Sequence, residues 1–283
     1  MKDTDTSQIT ARSLVTRTLW RIENRLAGPL SLEALADWEG VSPFHLSRAF
    51  SLAVGQPLMS YVRARRLSVA ARQLRQTDAQ IIEVALDAGY ESHEGFSRAF
   101  RDFFGCAPRA FRAGTDVSTN FQEAFQMPDT SHKTLTPRFV TRPEQRLVGR
   151  NKRVSPATIS EIPKHWNDTA ADLGSAMNGI ETYGACHSFD DGDFTYLVGM
   201  VDDGRVDTER LDHLVLPAGT YAVFDHDAHI SSIHATWTSI FEAWFPTADY
   251  APTSDPEFEL YEANFDLETP GGVSIWIPVK PTA

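Results

Sequence analysis

Ser47-Arg48-Ala49-Phe50 returns fifty residues later as Ser97-Arg98-Ala99-Phe100. An arginine fork pairs bidentately with guanine O6 and N7, and it matches phosphate equally well. A serine hydroxyl beside it bonds to a base or a phosphate. Around the first copy stands Phe44, shaped for a thymine methyl. Around the second stand Glu94, which can accept from cytosine N4, then His93 and Arg101. A different chemistry lies near the other end, in Glu257-Phe258-Glu259-Leu260-Tyr261. Read as a strand, Phe258 and Leu260 face one side, and Glu259 faces the other with Tyr261. A carboxylate among aromatic rings suits a cation, by charge pairing and by cation–π contact.

The repeat extends beyond the tetrapeptide. At the same offset Asp37 matches Asp87, Ser42 matches Ser92 and Gly55 matches Gly105. One supersecondary unit therefore occurs twice. Ser42 and Ser92 stand where helix N-caps belong, and Gly55 and Gly105 where helices stop. At 100° per residue Leu46, Ala49, Phe50 and Ala53 share one face. Phe96, Ala99, Phe100 and Phe103 share the same phases in the second copy. The opposite faces carry Phe44, Ser47, Arg48 and Ser51, then Glu94, Ser97, Arg98 and Arg101. The pattern predicts seven helices and no strands over the first part. A spacer helix from Pro57 to about Gln76 has a length of about 30 Å, near one turn of duplex DNA. Two reading helices held by it could meet adjacent major-groove segments of double-stranded DNA.

The net charge of −12 conceals an asymmetry. Residues 1–115 carry a balance of +3, with 14 arginines among 15 basic residues, and residues 116–283 carry −15. The first part suits nucleic acid and the second does not. No apolar run reaches the ~20 residues of a membrane helix. Met1 to Thr10 hold no apolar signal, and Cys106 and Cys186 form no metal or redox pattern. The expectation is a cytoplasmic protein, with no membrane partner, cofactor or metal. His226, His229 and His234 match no ligand spacing and read as a polar loop entering a helix.

From about residue 135 the pattern changes to short β-rich runs: 147–149, 194–201, 214–224, 258–265 and 273–279. Helical stretches 162–177 and 230–245 interrupt them. The order strand, helix, strand, strand occurs twice. It implies a pseudo-symmetric antiparallel sheet with two helices on one face, an α+β domain following an all-α one. The expected division is 1–113, a linker 114–134, and 135–283.

Leu35-Ala36, Gly40 to Phe50, Tyr61-Val62-Arg63, Arg66-Leu67, and Ala85 through Arg112 resemble the AraC/XylS-type DNA-binding domain. Leu216 to Phe224, Trp237, Trp244-Phe245, Phe258 to Tyr261 and Ile275 to Val279 resemble a GyrI-like effector-binding domain. The second resemblance implies a groove for small molecules, often bulky lipophilic cations, with Glu259 as its buried glutamate. It also places Trp276 and Tyr196 on flanking strands and Trp166 on the first helix. Together the resemblances imply a non-enzymatic transcription regulator, an activator working with RNA polymerase, controlled by a small-molecule effector. The alternative is a C-terminal domain that hydrolyses or sequesters a cytotoxic compound, with Glu259 and Trp276 as the hydrolytic pair. No phosphate-binding loop or common hydrolase motif occurs.

Overall fold

The computed structural model describes residues 14–114, 121–125, 135–190 and 192–282. Met1 to Thr10 and most of the expected linker lie outside the described residues. The chain divides into two compact units. Residues 1–46 with 57–128 form the first, and residues 47–56 with 129–283 form the second.

Seven described helices make up the first part: α1 (Leu14–Asn24), α2 (Leu32–Glu39), α3 (Pro43–Val54), α4 (Leu58–Gln76), α5 (Ile81–Asp87), α6 (His93–Phe104) and α7 (Pro108–Arg112). The caps follow from the sequence. The hydroxyls of Ser31, Ser42 and Ser92 accept from the amides of Ala34, His45 and Gly95. Gly105 then closes α6 in the left-handed region, at φ 75°. The first unit's core is a seam between α4, α5, α6 and α7. Leu67, Ala71, Leu74 and Val84 meet Phe96, Phe100, Phe104 and Phe111. Phe103, expected inside, is 38% exposed. Phe104 takes its place, because the i, i+4 ridge from Phe96 continues through Phe100 to Phe104. Phe121 packs on Phe104, and the amide of Phe125 donates to the Tyr61 hydroxyl at 3.0 Å. Part of the expected linker thus lies against α4.

The described residues of the second unit hold nine antiparallel strands: β1 (Arg138–Arg142), β2 (Gln145–Val154), β3 (Thr182–Asp190), β4 (Asp193–Val201), β5 (Asp212–Leu216), β6 (Gly219–His226), β7 (Tyr250–Pro252), β8 (Glu257–Tyr261) and β9 (Val273–Pro281). Their order is β1-β6-β9-β8-β3-β4-β2-β5, with β7 on β9. Two helices interrupt them, α8 (Ile162–Leu173) and α9 (Ile233–Ser239). A π-helical turn, Ile240–Trp244, prolongs α9. The central pairings put Gly184 opposite Glu259 and Cys186 opposite both Glu257 and Tyr196. Since side chains alternate along a strand, Gly184, Cys186, Tyr196, Glu257, Glu259 and Tyr261 share one face. Tyr183, Ala185, Phe258 and Trp276 line the opposite one. Both helices lie on the glutamate face, where Trp166 of α8 meets Tyr261 and Trp237 of α9 meets Glu259.

Candidate functional site

The second copy of the repeat presents its polar face to solvent. His93, Glu94, Arg98 and Arg101 on α6 are exposed and Ser97 is half-buried. The apolar ridge of the same helix points into the core, so amphipathicity alone aims these side chains outward.

The first copy differs. Phe44 and Ser47 are half-buried, while Arg48 and Ser51 are buried. Arg48, expected on an outer face, is only 8% exposed. Residues 47–56 belong to the second unit, and there Arg48 Nε donates to Glu257 Oε2 at 3.0 Å. Its guanidinium carbon lies 5.0 Å from the Trp237 ring centroid. It is 5.4 Å from both Phe189 and Phe194, and 5.9 Å from Phe241. A carboxylate and four rings supply what desolvation of a guanidinium requires, which is why the arginine sits inside. Burial works against the Arg48 charge, but Glu257, Cys186 and Glu259 outweigh it and raise its pKa. Burial likewise pushes the Glu257 carboxyl up, with Arg48 pulling against it.

Glu259 is the hub of the same face. It is 7% exposed. The Trp237 indole donates to Oε1 at 2.8 Å. The hydroxyls of Tyr196 and Tyr261 donate to Oε2 at 2.8 and 2.9 Å. The Trp166 indole in turn donates to the Tyr196 hydroxyl at 3.1 Å. Burial, then proximity to Glu259, raises the pKa of both tyrosines well above the ordinary range, which keeps them as donors. Gly184 makes room for this arrangement: a Cβ there would lie 2.0 Å from the Tyr196 hydroxyl oxygen.

Of the residues expected around the effector, Glu259, Tyr196 and Trp166 come together. Trp276 does not. It pairs with Phe258, one residue out of phase with Glu259, and so points to the other face. There it stacks on Phe258 with centroids 5.4 Å apart, and its indole donates to Ser274. The hydrolytic pairing of Glu259 with Trp276 falls with it. Sequence reasoning overlooked Glu257, Trp237 and the phenylalanine ring cluster. Strand parity was the available signal for Glu257, two residues from Glu259. Nothing in the sequence pointed Trp237 at that strand. His226 is held by Thr236 and the His229 carbonyl, a structural role.

A helical unit with a repeated helix-turn-helix, and a sheet with a buried acidic aromatic site, fit a DNA-binding regulator that carries a small-molecule-binding domain. Residues 135–280 match the GyrI-like small molecule binding domain, and residues 35–114 match a helix-turn-helix domain. The chain belongs to the GyrI-like family, joined to an AraC-type DNA-binding domain. The right origin-binding protein of Escherichia coli K12 is 26% identical over 263 residues, which cover 86% of this chain and 88% of that one. The transcriptional activator AarP of Providencia stuartii is 36% identical over 100 residues, 35% of this chain and 74% of its own. The multiple antibiotic resistance protein MarA of Salmonella typhimurium is 33% identical over 112 residues, 40% of this chain and 85% of its own. This protein is an AraC-type DNA-binding regulator with a small-molecule-binding domain. Among the described residues no helix is long and apolar enough to cross a membrane.

Proposed function

We propose that the small molecule is an organic cation with aromatic or lipophilic bulk, and that it binds at the Glu259 site. The observation that carries this reading is a buried carboxylate held by three donors from Trp237, Tyr196 and Tyr261. A second carboxylate, Glu257, stands two residues away on the same face with one guanidinium against it. Two carboxylates and one arginine leave an excess of negative charge for another positive group. Apolar walls with a few placed polar groups are the usual form of a ligand site.

The site binds rather than reacts in this reading. Three of the roughly four acceptor positions on Glu259 are already taken, which leaves little capacity to activate a water. The name of AarP, a transcriptional activator, supports activation as the sense of regulation.

Calorimetry on the full chain tests the ligand class. Tetraphenylphosphonium should bind and tetraphenylborate, nearly the same shape with opposite charge, should not. Equal binding of the two would reject a cation site.

On the DNA side, α6 carries the DNA-contacting residues His93, Glu94, Ser97, Arg98 and Arg101, with Arg98 reading a base and Arg101 meeting phosphate, and α3 carries Phe44, Ser47 and Arg48. Arg98→Ala should weaken binding to a selected duplex by ~1–3 kcal/mol and relax preference at one base pair. An unchanged footprint and affinity would remove Arg98 from the interface.

A further inference from the structure

The environment of Arg48 is that of a bound ligand. Its guanidinium is enclosed by Trp237, Phe189, Phe194 and Phe241 and pairs with Glu257, which is fully buried. The pairing is incomplete. Arg48 reaches Glu257 through Nε to Oε2, while Oε1 of Glu257 is buried and has no hydrogen-bond partner among the described residues. Arginine–carboxylate pairs are frequently bidentate, with both prongs of the fork engaged. Here half of the acceptor is unspent. The neighbouring Trp237 spends its indole N–H on Glu259 and its ring face on Arg48. The guanidinium thus shares walls with the Glu259 site.

The helix bearing this arginine is also the second helix of the first repeat. Its counterpart in the second copy, Arg98, is exposed on α6. In an unengaged reading helix Arg48 would hold the same phase as Arg98. In this structure it is turned to a carboxylate instead.

We infer that Arg48 is the resident occupant of the acidic aromatic site, and that a cationic effector competes with its guanidinium and frees it to contact DNA. The inference rests on the reading of the site as cation-binding and adds the regulation of that site. A side chain cannot sit in the ring cluster and in a major groove together, so the two states exclude each other. A ligand that favours the released state must raise DNA affinity. By linkage, DNA must raise affinity for the ligand by the same factor.

The test uses the full chain, a duplex selected from a random pool, and tetraphenylphosphonium. Saturating tetraphenylphosphonium should tighten wild-type DNA binding about tenfold, and saturating duplex should tighten tetraphenylphosphonium binding by the same factor. Glu257→Gln loosens the grip on Arg48 without altering a reading residue. It should bind the duplex without ligand as tightly as the wild type does with it. Because Glu257 is buried, a second variant guards against a folding defect. Arg48→Ala removes the competitor, and it should bind tetraphenylphosphonium about tenfold more tightly than wild type.

If Arg48→Ala binds the cation no more tightly than wild type, the competition is overturned while the cation site stands. If neither protein binds it, the cation reading itself fails. Wild-type DNA affinity indifferent to bound tetraphenylphosphonium would also overturn the inference.

Discussion

Glu259 is the residue on which the ligand reading turns, and its partners make a clean substitution available. Trp237 Nε1 can only donate, whereas the tyrosine hydroxyls can donate or accept. In Glu259→Gln the amide oxygen can therefore face Trp237 and the amide nitrogen the two tyrosines. The network survives and only the charge is lost. Tetraphenylphosphonium carries no hydrogen-bond donor and meets the carboxylate only as a charge, so its affinity should fall about tenfold or more through lost charge attraction alone. Affinity for neutral triphenylphosphine oxide should change little. Equal losses for both, measured by calorimetry, would mean that the substitution disturbed packing. Strand periodicity alone revealed which way Glu259 faces. It could not reveal that Arg48 would lie among that unit's rings, because no local pattern links residues 209 positions apart. Trp276 was misplaced for a related reason. Being on a strand near the site is not enough; the register fixes the face, and only the structure shows that Trp276 pairs with Phe258.

At the scale of elements, the helices were legible and the strands were partly so. Helix caps and stops are local chemistry, so Ser42, Ser92, Gly55 and Gly105 bound α3 and α6 from sequence alone. Strand β3 escaped notice because it is central. Tyr183 and Ala185 are buried on one face and Gly184 and Cys186 lie on the other, so no polar alternation marks it. β5 and β6 read as one run, yet Pro217-Ala218 turns the chain between Leu216 and Gly219. The π-helical turn after α9 leaves no trace in the pattern. α6 offers a test of how far a cap matters to function. The Ser92 hydroxyl accepts from the Gly95 amide at 3.1 Å, satisfying a donor at the end that carries His93 and Glu94. Ser92→Ala should cost ~1 kcal/mol of stability in chemical denaturation, and Ser92→Gly only a few tenths. A fraying first turn should weaken DNA binding in the same order. If Ser92→Ala and Ser92→Gly are indistinguishable from wild type in both assays, the cap contributes nothing to the reading helix.

On the scale of the whole molecule, the arginine-rich first part is less a DNA-binding surface than its composition implies. Arg17 and Arg21 pair with Glu39, and Arg65 pairs with Glu23. Arg66 donates to the carbonyls of Leu26 and Gly28, and Arg112 to those of Leu74 and Ala79. Arg48 faces Glu257. Apart from Arg48, these guanidiniums hold the fold, so the +3 balance of residues 1–115 overstates what phosphate can meet. The rest of the chain carries −15 and repels DNA at long range, within the ~10 Å screening distance at 0.1 M salt. Both effects would lower affinity for arbitrary DNA and leave discrimination to a few exposed side chains such as Arg98 on α6, with the exposed Arg101 beside it meeting phosphate. Counterion release makes this measurable, because each phosphate neutralised adds about −0.9 to the slope of log K against log salt. With a handful of contacts the slope should be near −4, far from the value of about −13 that engagement of all 14 arginines would give. Arg101→Ala should make the slope shallower by about 1 and weaken all sequences alike, unlike Arg98→Ala. A wild-type slope of about −13 would mean that the inward arginines are released on binding, and that the ion pairs of the first unit open when DNA is engaged.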